Sequence, residues 1–449
     1  MDAAVPVPAG GPNLREVGMR RSLRRVFALG VAAAVVAVPA CSSSSNNSND
    51  NSGGNNNGAS KVEVFSWWTG PGEEDGLNAM ISDFKSKNSG VEFINAAVSG
   101  GAGSNAKAIL AGRLQSGDPP DSYQRHAGLE LQDDIKAGKV QDLTYLYDQE
   151  KWKDIFPQGL IDNLTIDGKI YSVPVNIHRS NLLYYNPAVL SAAGISGPPK
   201  TWAEFLTQAE TLKNAGKTAI SIGPGWTQKH LLENVLLGEL GADEYEDLWN
   251  GKLDWTSGEV TGALETYKKV LSYSDISSAS ADWQPALDKL IDGAAAYNVM
   301  GDWADAYLSG TKKLTYKQDY GVVPTPGSEG VYNFLSDTFT LPVGAKNKAA
   351  AEKWLIECGS KAGQDAFNPK KGSVPARKDA DKALYKGYLA DALAEWQDSS
   401  TRIVGSLAHG VVANNAWNAE IDTALGLFVG DGDVAKFASS VKKSYEATK

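Results

Sequence analysis

Two adjacent tryptophans, Trp67 and Trp68, stand directly after the short apolar run Val62-Glu63-Val64-Phe65. A Gly/Pro-rich loop, Thr69-Gly70-Pro71-Gly72, follows them and ends in Glu73. Flat rings suit one kind of chemistry. Ring faces cover the C–H surface of a pyranose, which is what carbohydrate sites use. Two neighbouring bulky rings in such a loop cannot both enter one core, so at least one should face a crevice. In a parallel α/β sheet, the loop at the carboxyl end of a strand opens into the ligand site. The chain carries 12 Trp and 17 Tyr, most of which must serve as core, leaving a handful for a cleft.

Other chemistries have less support. The four histidines, His126, His178, His230 and His409, are far apart and form no H-x-x-x-H pair, so no metal is expected. No G-x-S-x-G elbow is present. Gly101-Ala102-Gly103 lacks the lysine of a phosphate loop and the third glycine of a dinucleotide fingerprint, and reads as a tight turn. Glycoside hydrolysis needs two facing carboxylates. With 53 Asp and Glu, a glycosidase using Glu73 and Asp337 stays open on composition.

The elements that must hold these residues alternate. Val62–Phe65 reads as a buried strand. Residues 75–87 carry Leu77, Met80, Ile81 and Phe84 on one helical face. A second strand follows at 91–94, a helix from Ser104 to about Gln115, and a short strand at 122–124 after the break at Gly117-Asp118-Pro119-Pro120. This alternation implies a parallel sheet covered by helices. Farther on, 168–175 reads as a hairpin leading to a strand at 182–186. Helices are expected at 201–215, 230–240 and 348–358, with a crossing strand at 321–324 and further helices over 380–447. No repeat has solenoid spacing.

The amino terminus has a different logic. Arg20, Arg21, Arg24 and Arg25 precede an apolar stretch, Val26 to Ala40, which ends at Cys41. Residues 42–60 are then nearly all Ser, Asn and Gly. A basic start, a short apolar run and small residues before a cut site describe a secretory signal over 1–40. The stretch is shorter than the roughly 20 residues a membrane span needs. Cys41 resembles the lipid-modified cysteine of bacterial lipoproteins, and 41–60 reads as a flexible tether. Arg24-Arg25-Val26-Phe27 also looks like a twin-arginine signal, and Met19 is an alternative start. The expected place is therefore outside the cytoplasm, anchored on the outer face of the membrane.

The remaining 409 residues are long for one core and suggest two domains. Net charge is −10 for the whole chain. Without a basic patch such a chain is a poor nucleic-acid binder, and none is expected as a partner. Of the two cysteines, Cys358 would have no partner if Cys41 is lipidated. It reads as a small buried side chain on a helix.

A family resemblance rests on an ordered series of segments. They are Phe65-Ser66-Trp67-Trp68, Gly100 to Asn105, Gly117-Asp118-Pro119-Pro120, Gln124-Arg125-His126-Ala127-Gly128 and Val173 to Asn181. Met300-Gly301-Asp302-Trp303, Leu335-Ser336-Asp337, Lys371-Gly372-Ser373 and Val404 to Gly410 follow. The chain resembles the sugar-binding lipoproteins of ABC importers, nearest the branch that binds glucose, galactose or mannose. The resemblance implies a two-lobed α/β fold of the periplasmic-binding-protein type (type II), with a cleft between hinged lobes. It places lobe one at 61–176 plus 322–370 and lobe two at 177–321 plus 371–449, with crossings near Asn176, Val322 and Lys371.

By the same resemblance, the ligand contacts are Trp67, Trp68, Glu73, Gln124, His126, Trp283, Trp303, Asp337, Lys371 and His409. The four tryptophans would stack on the sugar, Glu73 and Asp337 would accept from hydroxyls, and Lys371 and His409 would donate. The loop after Trp68 is one residue longer than the family's, so Glu74 competes with Glu73 for the acceptor position. Trp226 is a candidate for the rim, while His178 and Arg179 read as hinge supports. Trp68→Ala is expected to abolish binding and leave the fold intact. The implied role is a monomeric receptor that hands a glucose-like monosaccharide to a membrane permease, without catalysis or cofactor. The alternative in the same fold is a receptor for an oligosaccharide or polyol.

Overall fold

The computed structural model describes residues 60–448 apart from 101, 102, 224 and 277–281. The expected signal segment, Cys41 and nearly all of the expected 41–60 tether lie outside the described residues. Ser60, expected to end the tether, instead opens the first strand, Ser60–Phe65. No described helix is long and apolar enough to cross a membrane.

The first sheet has five strands. Ser60–Phe65 lies between Val91–Asn95 and Ser122–His126, parallel to both. Asp337–Thr340 then adds antiparallel to Ser122–His126, and Ser172–Pro174 closes the edge. Strand alternation accounts for its two faces. Val62 and Val64 enter the largest apolar core, with Phe84, Phe339 and Trp354, while Phe65 points to a smaller core with Leu110 and Tyr123. Between them, Glu63 accepts a two-pronged pair of bonds from Arg113, at 2.6 and 2.9 Å.

The second sheet has four strands. Leu182–Tyr185 lies antiparallel to both Gly321–Pro324 and Ala295–Val299, and Thr218–Ile220 completes it. Its core contains Leu183, Phe205, Leu236, Trp249, Trp417 and Phe437. The strand containing Val322 thus belongs to the second sheet, although the sequence reading put 322 at the start of the return to lobe one. The chain rejoins the first sheet at Asp337–Thr340. Between these, Val331–Leu335 pairs with Arg402–Gly405 and with His178–Arg179 in a three-stranded sheet.

Helix ends follow local chemistry. Thr201, Ser257 and Asn414 each cap the helix that follows through a side-chain oxygen. The helix expected at 230–240 runs over Gly225–Trp249 and is broken at Gly241, whose φ of 74° is non-helical. Cys358 is buried and free, its thiol pushed well up by burial.

Candidate functional site

The loop after Ser60–Phe65 splits its two tryptophans. Trp67 is half-buried and faces a cavity of about 720 Å³. Its ring stands 5.3 Å from that of His126, with Lys107 Nζ 5.2 Å from its centroid. Gly103, at φ 99°, lets the backbone pass against this ring, where an added Cβ would sit 3.1 Å from it. Trp68 is 1 % exposed. It forms part of the cavity wall, yet its ring packs against Phe367 at 4.7 Å and Phe339 at 5.5 Å. It is a core residue, so the expectation that its removal would spare the fold does not hold.

Glu73 lines the cavity from the first turn of the helix Glu73–Lys87. Its Oε2 accepts from the Gly70 N–H at 3.3 Å and its Oε1 lies 3.7 Å from Lys371 Nζ. Glu74 is exposed and is not in the lining. The extra residue in this loop therefore leaves Glu73 as the acceptor that faces the cavity.

Asp337 is the electrostatic centre. It opens its strand opposite His126 in register. Oδ1 accepts from Gln124 Nε2 and Oδ2 from Asn176 Nδ2, both at 2.8 Å. His126 Nε2 and His178 Nε2 lie 3.6 and 3.5 Å away. Burial would raise its pKa, but the His178 hydrogen bond and the charges of Lys371 and His126 outweigh it and hold the carboxyl well below its ordinary range. Gln124 does not line the cavity. It is fully buried and ties two lining residues together, since its Oε1 also accepts from the Trp67 N–H at 3.1 Å.

The remaining expected residues in the lining are Trp283, Trp303, Lys371 and His409. Trp283 begins the helix Gln284–Ile291 and meets Tyr307 edge-on at 5.6 Å. Trp303 contacts His178 and His409 at 5.3 and 5.2 Å. Lys371, at the end of the helix Lys361–Lys371, places Nζ 3.1 Å from His178 Nε2 and about a ring's reach from Trp303, at 6.0 Å. His178 Nδ1 bonds Asp302, whose other oxygen accepts the Arg179 N–H at 3.0 Å. Burial, the largest influence, and the Lys371 charge would lower His178, but the Asp302 charge together with hydrogen bonds to Asp302 and Asp337 outweighs them and raises the pKa.

The structure thus gathers nine of the ten expected residues around one cavity and puts Gln124 behind it. Two features escaped the sequence reading. His178 was read as a hinge support, yet it lines the cavity and links Asp302, Lys371 and Asp337. Lys229, which bonds Asn418 and Asp422 at 2.7 Å, lies in the wall. Trp226, named from its Gly/Pro loop as a candidate for the rim, also lies in the wall.

The profile of the family described as bacterial extracellular solute-binding protein matches residues 70–365. An uncharacterised ABC transporter extracellular-binding protein of Pyrococcus horikoshii is 32% identical over 384 residues, covering 85% of this chain and 86% of the relative. A probable sugar-binding periplasmic protein of Brucella suis is 31% identical over 356 residues, covering 78% and 83%. Among solved structures, the bacterial solute receptor AcbH, described as preferring β-D-galactopyranose, superposes with a TM-score of 0.75. It is 18% identical, with 87% of this chain and 99% of that one covered.

Proposed function

The chain belongs to the family of bacterial extracellular solute-binding proteins, and from that membership and the chemistry of its cleft we infer that it is the sugar-binding receptor of an ABC importer. The observation that carries this reading is the cavity itself. Indole rings from Trp67, Trp226, Trp283 and Trp303 share its wall with Glu73, Asp337, Lys371 and His409. Flat apolar faces beside fixed donors and acceptors suit an uncharged polyhydroxylated ring. The name of the Brucella suis relative supports the same class of ligand.

The finer proposal is a hexose of the glucose type. It would lie on the Trp67 face, with Glu73 and Asp337 reading hydroxyls, and bonds lost to a wrong configuration would discriminate. A cavity of about 720 Å³ also leaves space beyond one pyranose, which favours an oligosaccharide as the second reading. The two lobes would be built on the two larger sheets and hinge near Asn176 and Lys371, with closure signalling occupancy to the permease. The receptor would act as a monomer.

Calorimetry and thermal shift against a sugar panel test the reading. The bound sugar should raise stability by mass action, by about 2.7 kcal/mol at a hundredfold excess over Kd. Trp67→Ala should weaken binding roughly thirtyfold, the loss of about 2 kcal/mol of stacking surface, and lower the sugar-free melt far less than the loss of the fully buried Trp68 ring would. No heat with any mono- or disaccharide at millimolar concentration would end the proposal.

The same reading places the receptor on the outer face of the membrane through lipid on Cys41, as the residues before and after it suggest. Cys41→Ser should move the protein from the membrane fraction to the medium. Equal retention of both forms would remove the anchor.

A further inference from the structure

The cleft residue His409 is wired to a buried carboxylate. Glu233, on the helix Gly225–Trp249, is fully buried. Its Oε2 accepts the Ala408 N–H at 2.9 Å, and Ser406 Oγ lies 3.0 Å from both of its oxygens. Ser180 Oγ reaches Oε1 at 3.2 Å. Ser406 Oγ also lies 2.9 Å from His409 Nδ1. A continuous path therefore runs from Glu233 through one hydroxyl to the ring that lines the cavity.

A hydroxyl has a single proton. When Glu233 is ionised, Ser406 must spend that proton on the carboxylate, so its oxygen accepts from His409 Nδ1–H. Neutral imidazole then leaves Nε2, on the far side of the ring from Ser406, as a bare acceptor. When Glu233 is protonated the path reverses. Glu233 donates to Ser406, Ser406 donates to Nδ1, and the imidazole proton sits on Nε2. The conversion balances as a relay: one proton enters at Nε2, the Nδ1 proton passes to Ser406, and the Ser406 proton passes to Glu233. His409 is neutral before and after.

We propose that Glu233, acting through Ser406, sets which nitrogen of His409 carries the proton, so that the cleft presents an acceptor there when Glu233 is ionised and a donor when it is not. Glu233 is thus a positioning residue for specificity. Its surroundings favour a change of state near neutrality. Burial raises its pKa to about 7 against the bonds from Ala408, Ser406 and Ser180. His230, 3.5 Å from Oε1, is kept neutral by burial, with a pKa of about 3. Lys229 on the same helix is paired with Asp422, and buried Tyr245 bonds the Gly405 carbonyl. His409 is itself held well below its ordinary pKa by burial, with His126, His230, Lys107 and His178 adding to the effect, so it stays neutral. His230, Glu233 and His409 lie within 4.8 Å of one another, a metal-like spacing. The Glu233 oxygens and His409 Nδ1 are, however, already engaged by Ala408, Ser406 and Ser180.

The tautomer can be read without any ligand. Long-range ¹⁵N–¹H spectra of the intact sugar-free domain should show His409 as the Nδ1–H form at pH 8.5 and the Nε2–H form at pH 5.5. Glu233→Gln, whose amide donates as the protonated acid does, should hold the Nε2–H form at both. A single tautomer across the range in the native protein would overturn the proposal, whether or not the variant folds. The consequence for specificity rests on the sugar reading. Sugar hydroxyls can donate or accept, but a fluorine only accepts. Among monodeoxyfluoro-D-glucoses, one should gain about tenfold in affinity relative to D-glucose from pH 8.5 to 5.5, and Ser406→Ala should abolish the gain. Invariant ratios with D-glucose bound would remove the specificity role, whereas absence of D-glucose binding would count against the sugar assignment and leave the spectra to decide the relay.

Discussion

Replacing Trp68 with alanine is expected to cost about 3–5 kcal/mol of stability. The ring is 1 % exposed and fills the space between Phe339 of the first sheet and Phe367 of the helix Lys361–Lys371. That helix packs beside Glu73–Lys87, so the cavity would open where two helices and the sheet meet. Any loss of ligand affinity in this variant would be a by-product, because Glu73 and Lys371 both stand on the helices that Trp68 supports. Trp67→Ala is the contrasting case, since that ring faces the cleft. Urea melts of the two variants decide the matter. A Trp68→Ala midpoint equal to that of the native protein would show that the ring is not part of the core.

Asp337→Ala is expected to be as large, about 3–5 kcal/mol, because removing one member of a buried charged group leaves the others without compensation. Gln124, Asn176, His178 and Lys371 all depend on it directly or at one remove. The sign with pH follows from the direction of the shift. The folded pKa lies below the ordinary value of 3.8, so the unfolded state binds the proton more readily. The contribution is complete above that value and is lost as pH falls below it through the folded pKa. His178 is opposite in sign: raised above 6.5, it contributes fully below that pH and loses its contribution as pH rises through its folded value. Acid unfolding followed by circular dichroism should therefore show a shallower pH dependence below pH 4 for Asp337→Asn than for the native protein. Parallel acid curves would mean that Asp337 carries no depressed pKa.

Much of the scaffold was legible because it rests on short-range rules. The face of Leu77, Met80, Ile81 and Phe84 read as a helix, and those side chains are buried in Glu73–Lys87. The strand read at 321–324 stands as Gly321–Pro324. Its partner was not legible, since pairing with Leu182–Tyr185 spans well over a hundred residues. The same reason hid the link from His178 to Asp302 and from Glu233 to His409.

What the sequence determined alone was the kind of surface this protein could build: rings at the end of a strand, carboxylates and a lysine set near glycines, and alternating elements to carry them. The tertiary structure decided the division of labour. It turned Trp67 outward and Trp68 inward, put Gln124 behind Asp337, and joined His409 to a carboxylate 176 positions earlier. Side-chain direction within an element follows from backbone periodicity, but which polar group meets which is settled only when distant segments are packed together and each buried donor or acceptor must find a partner.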